Sequence, residues 1–144
     1  MAKSTICADT GNGATFVATG GLSGWTGKVR RIEFSEVSVD RIDCSSLSTV
    51  TYRSTIANDL TDPPEITITY LHDTFDSLPV VGSSITTITV TFPLRTGEVT
   101  AANWAGSGYV KSLQMPVLAN GEIQEGRLVV AFDGVTGPTY TKST

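Results

Sequence analysis

Apolar and polar side chains alternate with a period of two over much of this chain, and no segment carries a strong 3.6-residue period. EITITYL at 65–71 sets Ile66, Ile68 and Tyr70 on one face and Thr67 and Thr69 on the other. TITVTFPL at 87–94 repeats the pattern with Ile88, Val90, Phe92 and Leu94 inward, and Pro93 ends the run or marks an edge. ATFVA at 14–18 is a shorter candidate with Phe16 and Ala18 on one face. In NWAGSGYVKSLQMP at 103–116, Gly106 and Gly108 share a face, which predicts close backbone approach there. RLVVAFDG at 127–134 is apolar on both faces, as a strand is when it lies between two layers or backs onto a subunit contact. KVRRIEFSEVSVDRIDC at 28–44 slips phase between Phe34 and Val37, so either one bent strand or two strands in a hairpin are expected, with a bulge or turn near Ser35–Glu36.

Between these runs lies a long polar stretch at 43–64, DCSSLSTVTYRSTIANDLTDPP, which reads as a loop. Its only helical hint is the spacing of Tyr52, Ile56 and Leu60, and a second short helix is expected at Asp73–Leu78. GGLSGWTG at 20–27 is a glycine-rich loop, in which Trp25 either folds back on the core or anchors an interface. The expected fold is therefore mainly β: an antiparallel sandwich or barrel-like domain over 15–137, with one or two short helices. A flexible arm is expected at 1–14 and a tail at 138–144.

Composition agrees with a single domain. A chain of 144 residues buries roughly 68–70% of its unfolded surface, enough for a core without staples. Charged residues make up 17%, and 22 threonines fill much of the difference; their β-branched side chains suit a pleated surface. The net charge of −4 and pI near 4.8 oppose a grip on nucleic acid, which needs lysine and arginine to displace counterions. Cys7 and Cys44 could form one disulfide but make no disulfide scaffold, and free thiols are the favoured reading. No charged segment precedes an apolar leader run, and no run approaches the ~20 apolar residues of a membrane span, so folding in the cytosol is expected.

Catalytic chemistry is sought without success. One histidine, His72, reads as a strand-end residue and excludes a histidine-rich metal site. Asp9–Gly11 matches an aspartic-protease tripeptide but lacks the apolar strand that should precede it. The glycines at 21, 24 and 27 do not sit between a strand and a helix, as a phosphate cradle requires. The carboxylates are spread along strand ends and turns. No catalytic, cofactor-binding or metal-binding residues are assigned.

The segment RIDCSSLSTVTYRSTIANDLTDPPEITITYLHDTF resembles the tail tube (major tail) proteins of long-tailed, non-contractile bacteriophages. The likeness rests on Asp43–Ser46, the aromatic–Arg step Tyr52–Arg53, and the acidic, proline-containing turn Asp62–Glu65. It continues through Ile88–Pro93, Trp104–Val110, Met115–Pro116 and Leu128–Gly137, covering about residues 40–137 with loose motifs. The helix common between the two central strands of that family is reduced here to Asp73–Leu78.

This resemblance implies a structural virion protein, made in host cytoplasm, that self-assembles into hexameric rings stacked as a hollow tube. Phage DNA would pass through the lumen without specific binding. The tape measure protein and tail completion or initiator proteins would be its partners, and no membrane is involved. The segment 43–64 becomes the inter-subunit element, with Tyr52, Arg53, Ile56 and Leu60 expected to bury against a neighbour. Glu33 and Glu36 are candidates to face an acidic lumen; six chains of −4 would place −24 on each ring. Ordering a ~20-residue loop costs about 1–2 kcal/mol per residue, which assembly has to offset. The alternative is a carbohydrate- or surface-binding β-sandwich module, which calls for aromatic residues clustered on one exposed face.

Overall fold

A computed structural model of the chain describes residues 13–20, 22, 25, 28–46, 53–74 and 77–144. It contains β1 (Thr15–Gly20), β2 (Lys28–Phe34), β3 (Val39–Asp43), β4 (Thr55–Thr61), β5 (Glu65–Leu71), β6 (Ser84–Thr91), β7 (Asn103–Gln114), β8 (Glu125–Phe132) and β9 (Thr139–Thr141). Every ladder is antiparallel. Seven strands form one sheet in the order β1-β6-β7-β8-β5-β2, with β9 also on β7, and β3 and β4 form a separate two-stranded ribbon. The mainly-β, antiparallel expectation holds.

The core is the apolar face that the period-two pattern marks. Ile66, Ile68, Tyr70, Ile88, Val90, Val110, Leu128, Val130 and Phe132 are all buried. The sheet folds over on itself to enclose them. In a flat sheet β6 and β2, four places apart, would be about 19 Å from each other at ~4.8 Å per strand. Instead Phe34 at the end of β2 stacks on Phe92 just beyond β6, with ring centroids 6.1 Å apart. Among the described residues β1 and β2 share no ladder, so the roll stays open between them. Trp25 sits at that opening, edge-on to Phe16 (6.4 Å) and Tyr70 (5.4 Å). It takes the core-anchor role of the two considered for it.

Glycines let the layers close. A Cβ on Gly108 would lie 2.1 Å from the Ala131 carbonyl oxygen and 2.6 Å from Ile88 Cδ1, and one on Gly126 would lie 2.5 Å from Tyr70 Cζ. The close approach expected at Gly106 and Gly108 is therefore present.

Several expectations need correction. The phase slip after Phe34 separates two strands that belong to different sheets, β2 and β3. The presumed loop at 43–64 contains β4, paired to β3 through Arg41↔Ala57, Ile42↔Ile56 and Asp43↔Thr55. Ile56 and Leu60 thus lie on a strand, not on a helix. No helix occurs among the described residues; within Asp73–Leu78, Phe75 and Asp76 lie outside them, and the remaining residues are turn or irregular. Leu94 is exposed instead of inward, because β6 ends at Thr91 and Pro93 follows. β6 begins earlier than its pattern indicates, at Ser84. A register shift between Ile85 and Ile88 lets both face the core although they differ in parity.

The segment 138–144, expected as a tail, carries β9 and is tied into the sheet. Val99 and Thr100 donate backbone N–H bonds to the Thr144 carbonyl, and Ser143 Oγ donates to Glu98 Oε1 at 2.7 Å. Residues 1–12 of the expected N-terminal arm lie outside the described residues.

Candidate assembly surface

The β3–β4 ribbon leaves the end of the sheet where β2 finishes and β5 begins. Ser35 N–H donates to the Glu65 carbonyl (2.8 Å), Glu65 N–H to Ser35 Oγ (2.7 Å), and Asp62 N–H to the Ser38 carbonyl (3.2 Å). These bonds fix the base of the ribbon to the sheet. Beyond that base, among the described residues, the ribbon makes no extended contact with any other strand.

Toward its tip the ladder continues past the two strands. Cys44 N–H donates to the Ser54 carbonyl at 2.8 Å, and Ser54 N–H donates to Ser45 Oγ at 2.7 Å. Asp43 Oδ1 accepts from Ser45 N–H at 2.8 Å, an Asx turn that starts the connection. The backbone and side-chain hydrogen bonds from Ser45 hold the Asp43 carboxyl below its ordinary value. Arg53 Nη1 stands 3.9 Å from Asp43 Oδ2, with both side chains largely in solvent. Asn58 Oδ1 accepts from Leu60 N–H at 3.4 Å, in the part of β4 where the pairing register shifts.

The ribbon's apolar side chains are uncovered. Leu60 is 77% exposed and Ile56 56%, and Val37, Val39 and Ile42 are exposed as well. Of the expected inter-subunit residues, Arg53, Ile56 and Leu60 therefore lie together on one projecting element; Tyr52 lies outside the described residues. Cys44, also on the ribbon, is exposed. Glu33 pairs with Arg31 along β2, and Glu36 is exposed on the link to β3. His72 follows the last residue of β5 and donates its N–H to the Gln124 carbonyl at 2.9 Å.

A second feature has no counterpart in the sequence reading. Beside the ribbon's base a groove of about 700 Å³ runs along β2, lined by Val29, Ile32, Phe34, Phe92 and Tyr140 among others. Phe34, Phe92 and Tyr140 come from three separate parts of the chain and meet here, and Trp104 packs on Phe34 and Tyr140. Ring centroids are 5.7 Å apart for Trp104–Tyr140 and 6.1 Å for Phe92–Tyr140. Only a structure could bring them together, because their sequence positions share no pattern.

Among the described residues no three of His, Cys, Asp and Glu stand together as metal ligands, and no helix is long and apolar enough to cross a membrane. The perturbed carboxylates serve turns. Asp133 is held below its ordinary value by Ser107 Oγ, which donates to it at 2.7 Å, and by Val135 N–H at 2.9 Å. On the outer face the Glu65 carboxylate accepts from Lys111 and pushes that ammonium's value up. Comparison with protein-family models and with curated proteins found no match for the chain.

Proposed function

We propose that this chain is a structural subunit that assembles with copies of itself, as stacked hexameric rings forming the hollow tail tube of a long-tailed phage. The observation that carries the reading is the β3–β4 ribbon. It projects from a well-packed sheet and exposes Ile42, Ile56 and Leu60 to solvent. A two-stranded ribbon is marginally stable in water and needs packing to persist. An interface that repeats between identical copies supplies that packing, and a heterologous one closes into rings or runs on as a filament. The ladder between β3 and β4 forms within one chain, so that share of the ordering cost does not fall on assembly.

Removing residues 48–61 tests this reading. The variant is expected to remain a folded monomer, by circular dichroism and sedimentation, and to form no tubes under the electron microscope. Tubes of normal appearance from that variant would refute it.

A second reading, a carbohydrate-binding module, is favoured by one observation: Phe34, Phe92 and Tyr140 line a common groove. It is expected to show as glycan-dependent quenching of Trp104 fluorescence in a stable monomer.

A further inference from the structure

We propose that Asn120 is a site of covalent self-modification: the backbone nitrogen of Gly121 displaces the Asn120 side-chain amide, and water opens the resulting ring to an acidic residue. This inference goes beyond the self-assembly reading and stands or falls separately from it.

The chain has four asparagines, and the structure sets Asn120 apart. Asn120 and Gly121 are the central residues of an exposed turn between β7 and β8, closed by Glu122 N–H donating to the Ala119 carbonyl at 3.3 Å. Gly121 has a φ of +80°, the left-handed backbone of the third position in a type II turn. A Cβ built there would meet nothing within 4 Å, so nothing crowds the approach of the Asn120 side chain. Among the described residues neither the Gly121 N–H nor the Asn120 amide has a hydrogen-bond partner. The nitrogen is free to lose its proton to solvent base, and the side chain is free to swing onto it. Asn58 is half-buried in β4, where its Oδ1 accepts from Leu60 N–H. Asn103 is half-buried in β7 between Thr91 and Thr141, and bulky Trp104 follows it. Asn12 also precedes a glycine but lies outside the described residues.

The step balances with water alone. Solvent base takes the Gly121 amide proton, and the nitrogen attacks Asn120 Cγ. A nitrogen–carbon bond forms, the side-chain carbon–nitrogen bond breaks, and the amide leaves as ammonia after taking a proton from water. One water then adds to either carbonyl of the five-membered ring and opens it. Opening on one side leaves an aspartyl residue; opening on the other leaves an isoaspartyl residue, with an extra methylene in the backbone. Nothing is oxidised or reduced. Either product makes the net charge of −4 more negative by one. The new carboxylate stands in a connection that exposes Val117, Leu118 and Ile123. This connection leads into Glu125, which pairs with Leu71, whereas the ribbon leaves beside Glu65, which pairs with Ala131. The modification therefore falls at the end of the sheet opposite the ribbon.

The test incubates the folded, full-length protein in mildly alkaline buffer and follows it by ion exchange and by mass spectrometry of its peptides. A free peptide of residues 117–124 in the same buffer sets the reference rate. The folded protein is expected to yield a more acidic form, with the amide-to-acid mass change mapped to position 120 and both aspartyl and isoaspartyl products present. Asn58 and Asn103 are expected to stay intact. The Asn120→Gln variant, whose ring closure needs one more atom, is expected to keep the wild-type circular dichroism spectrum, because the position is exposed, and to lose the product at position 120. An intact Asn120 in the folded protein, under conditions that consume the peptide, would overturn the proposal. So would an aspartyl product with no isoaspartyl form, because direct attack by water would then replace attack by Gly121. An acidic form confined to Asn12, and equal in wild type and variant, would overturn it as well.

Discussion

Replacing Leu60 with serine separates assembly from folding. In the isolated chain Leu60 is 77% exposed, so its burial contributes little to the protomer. Exposed substitutions of this kind change stability by less than about 0.5 kcal/mol. For a chain of this length that moves the melting temperature by about 2 °C or less. In an assembled contact the same side chain has about three-quarters of its surface left to bury. Full burial of a leucine contributes about 1.5–3 kcal/mol, so each contact loses roughly 1–2 kcal/mol. At about 1.4 kcal/mol per factor of ten, the concentration needed for assembly rises roughly 5- to 30-fold. Light scattering over a dilution series measures that threshold, and a thermal melt of dilute protein measures the fold. An unchanged threshold would refute the assembly role of the ribbon. A melting temperature lowered by 10 °C would show instead that Leu60 supports the protomer, against its observed exposure.

Other outcomes follow from the core and the turns. Gly108→Ala drives a methyl group into the Ala131 carbonyl and Ile88; it is expected to lose about 3 kcal/mol in a urea titration, the upper end of overpacking costs. Ser112→Ala, exposed on the same strand, is expected to match the wild type. Gly126→Ala meets the Tyr70 ring and is expected to lower stability and perturb the near-ultraviolet circular dichroism of Tyr70 and Trp25. Because Asp43 is depressed below its ordinary 3.8, its Asx turn contributes fully above that value and is lost as pH falls through the lower folded-state value. The Ser45 amide resonance is expected to titrate with its midpoint below 3.8, and Asp43→Asn to abolish that titration.

The strands that enclose the core were legible because each has one buried face: Ile66, Ile68 and Tyr70 on β5, and Ile88 and Val90 on β6, announce themselves by alternation. The glycine faces of β7 were legible for the same reason, since a missing side chain at alternate positions has few other uses in a strand. β4 escaped notice because both of its faces meet solvent. TIANDLT has no buried side to alternate against, and Asn58 and Asp59 read as loop residues. Its exposed Ile56 and Leu60, spaced i and i+4, imitated a helix instead. β9 is three residues long and depends on Asn103–Ala105 of β7, where β8 does not reach. The aromatic groove depends on the sheet folding over, which brings Phe34 to Phe92 across four strands. No local pattern encodes that fold-over.

The central claim is that identical copies of this chain assemble through the β3–β4 ribbon. Negative-stain electron microscopy of concentrated wild-type protein, beside the Leu60→Ser variant at the same concentration, tests it most directly. The account predicts six-fold rings or hollow tubes from the wild type and sparse or absent assemblies from the variant. Monodisperse monomer from the wild type at every concentration, or equal tubes from both, would contradict it.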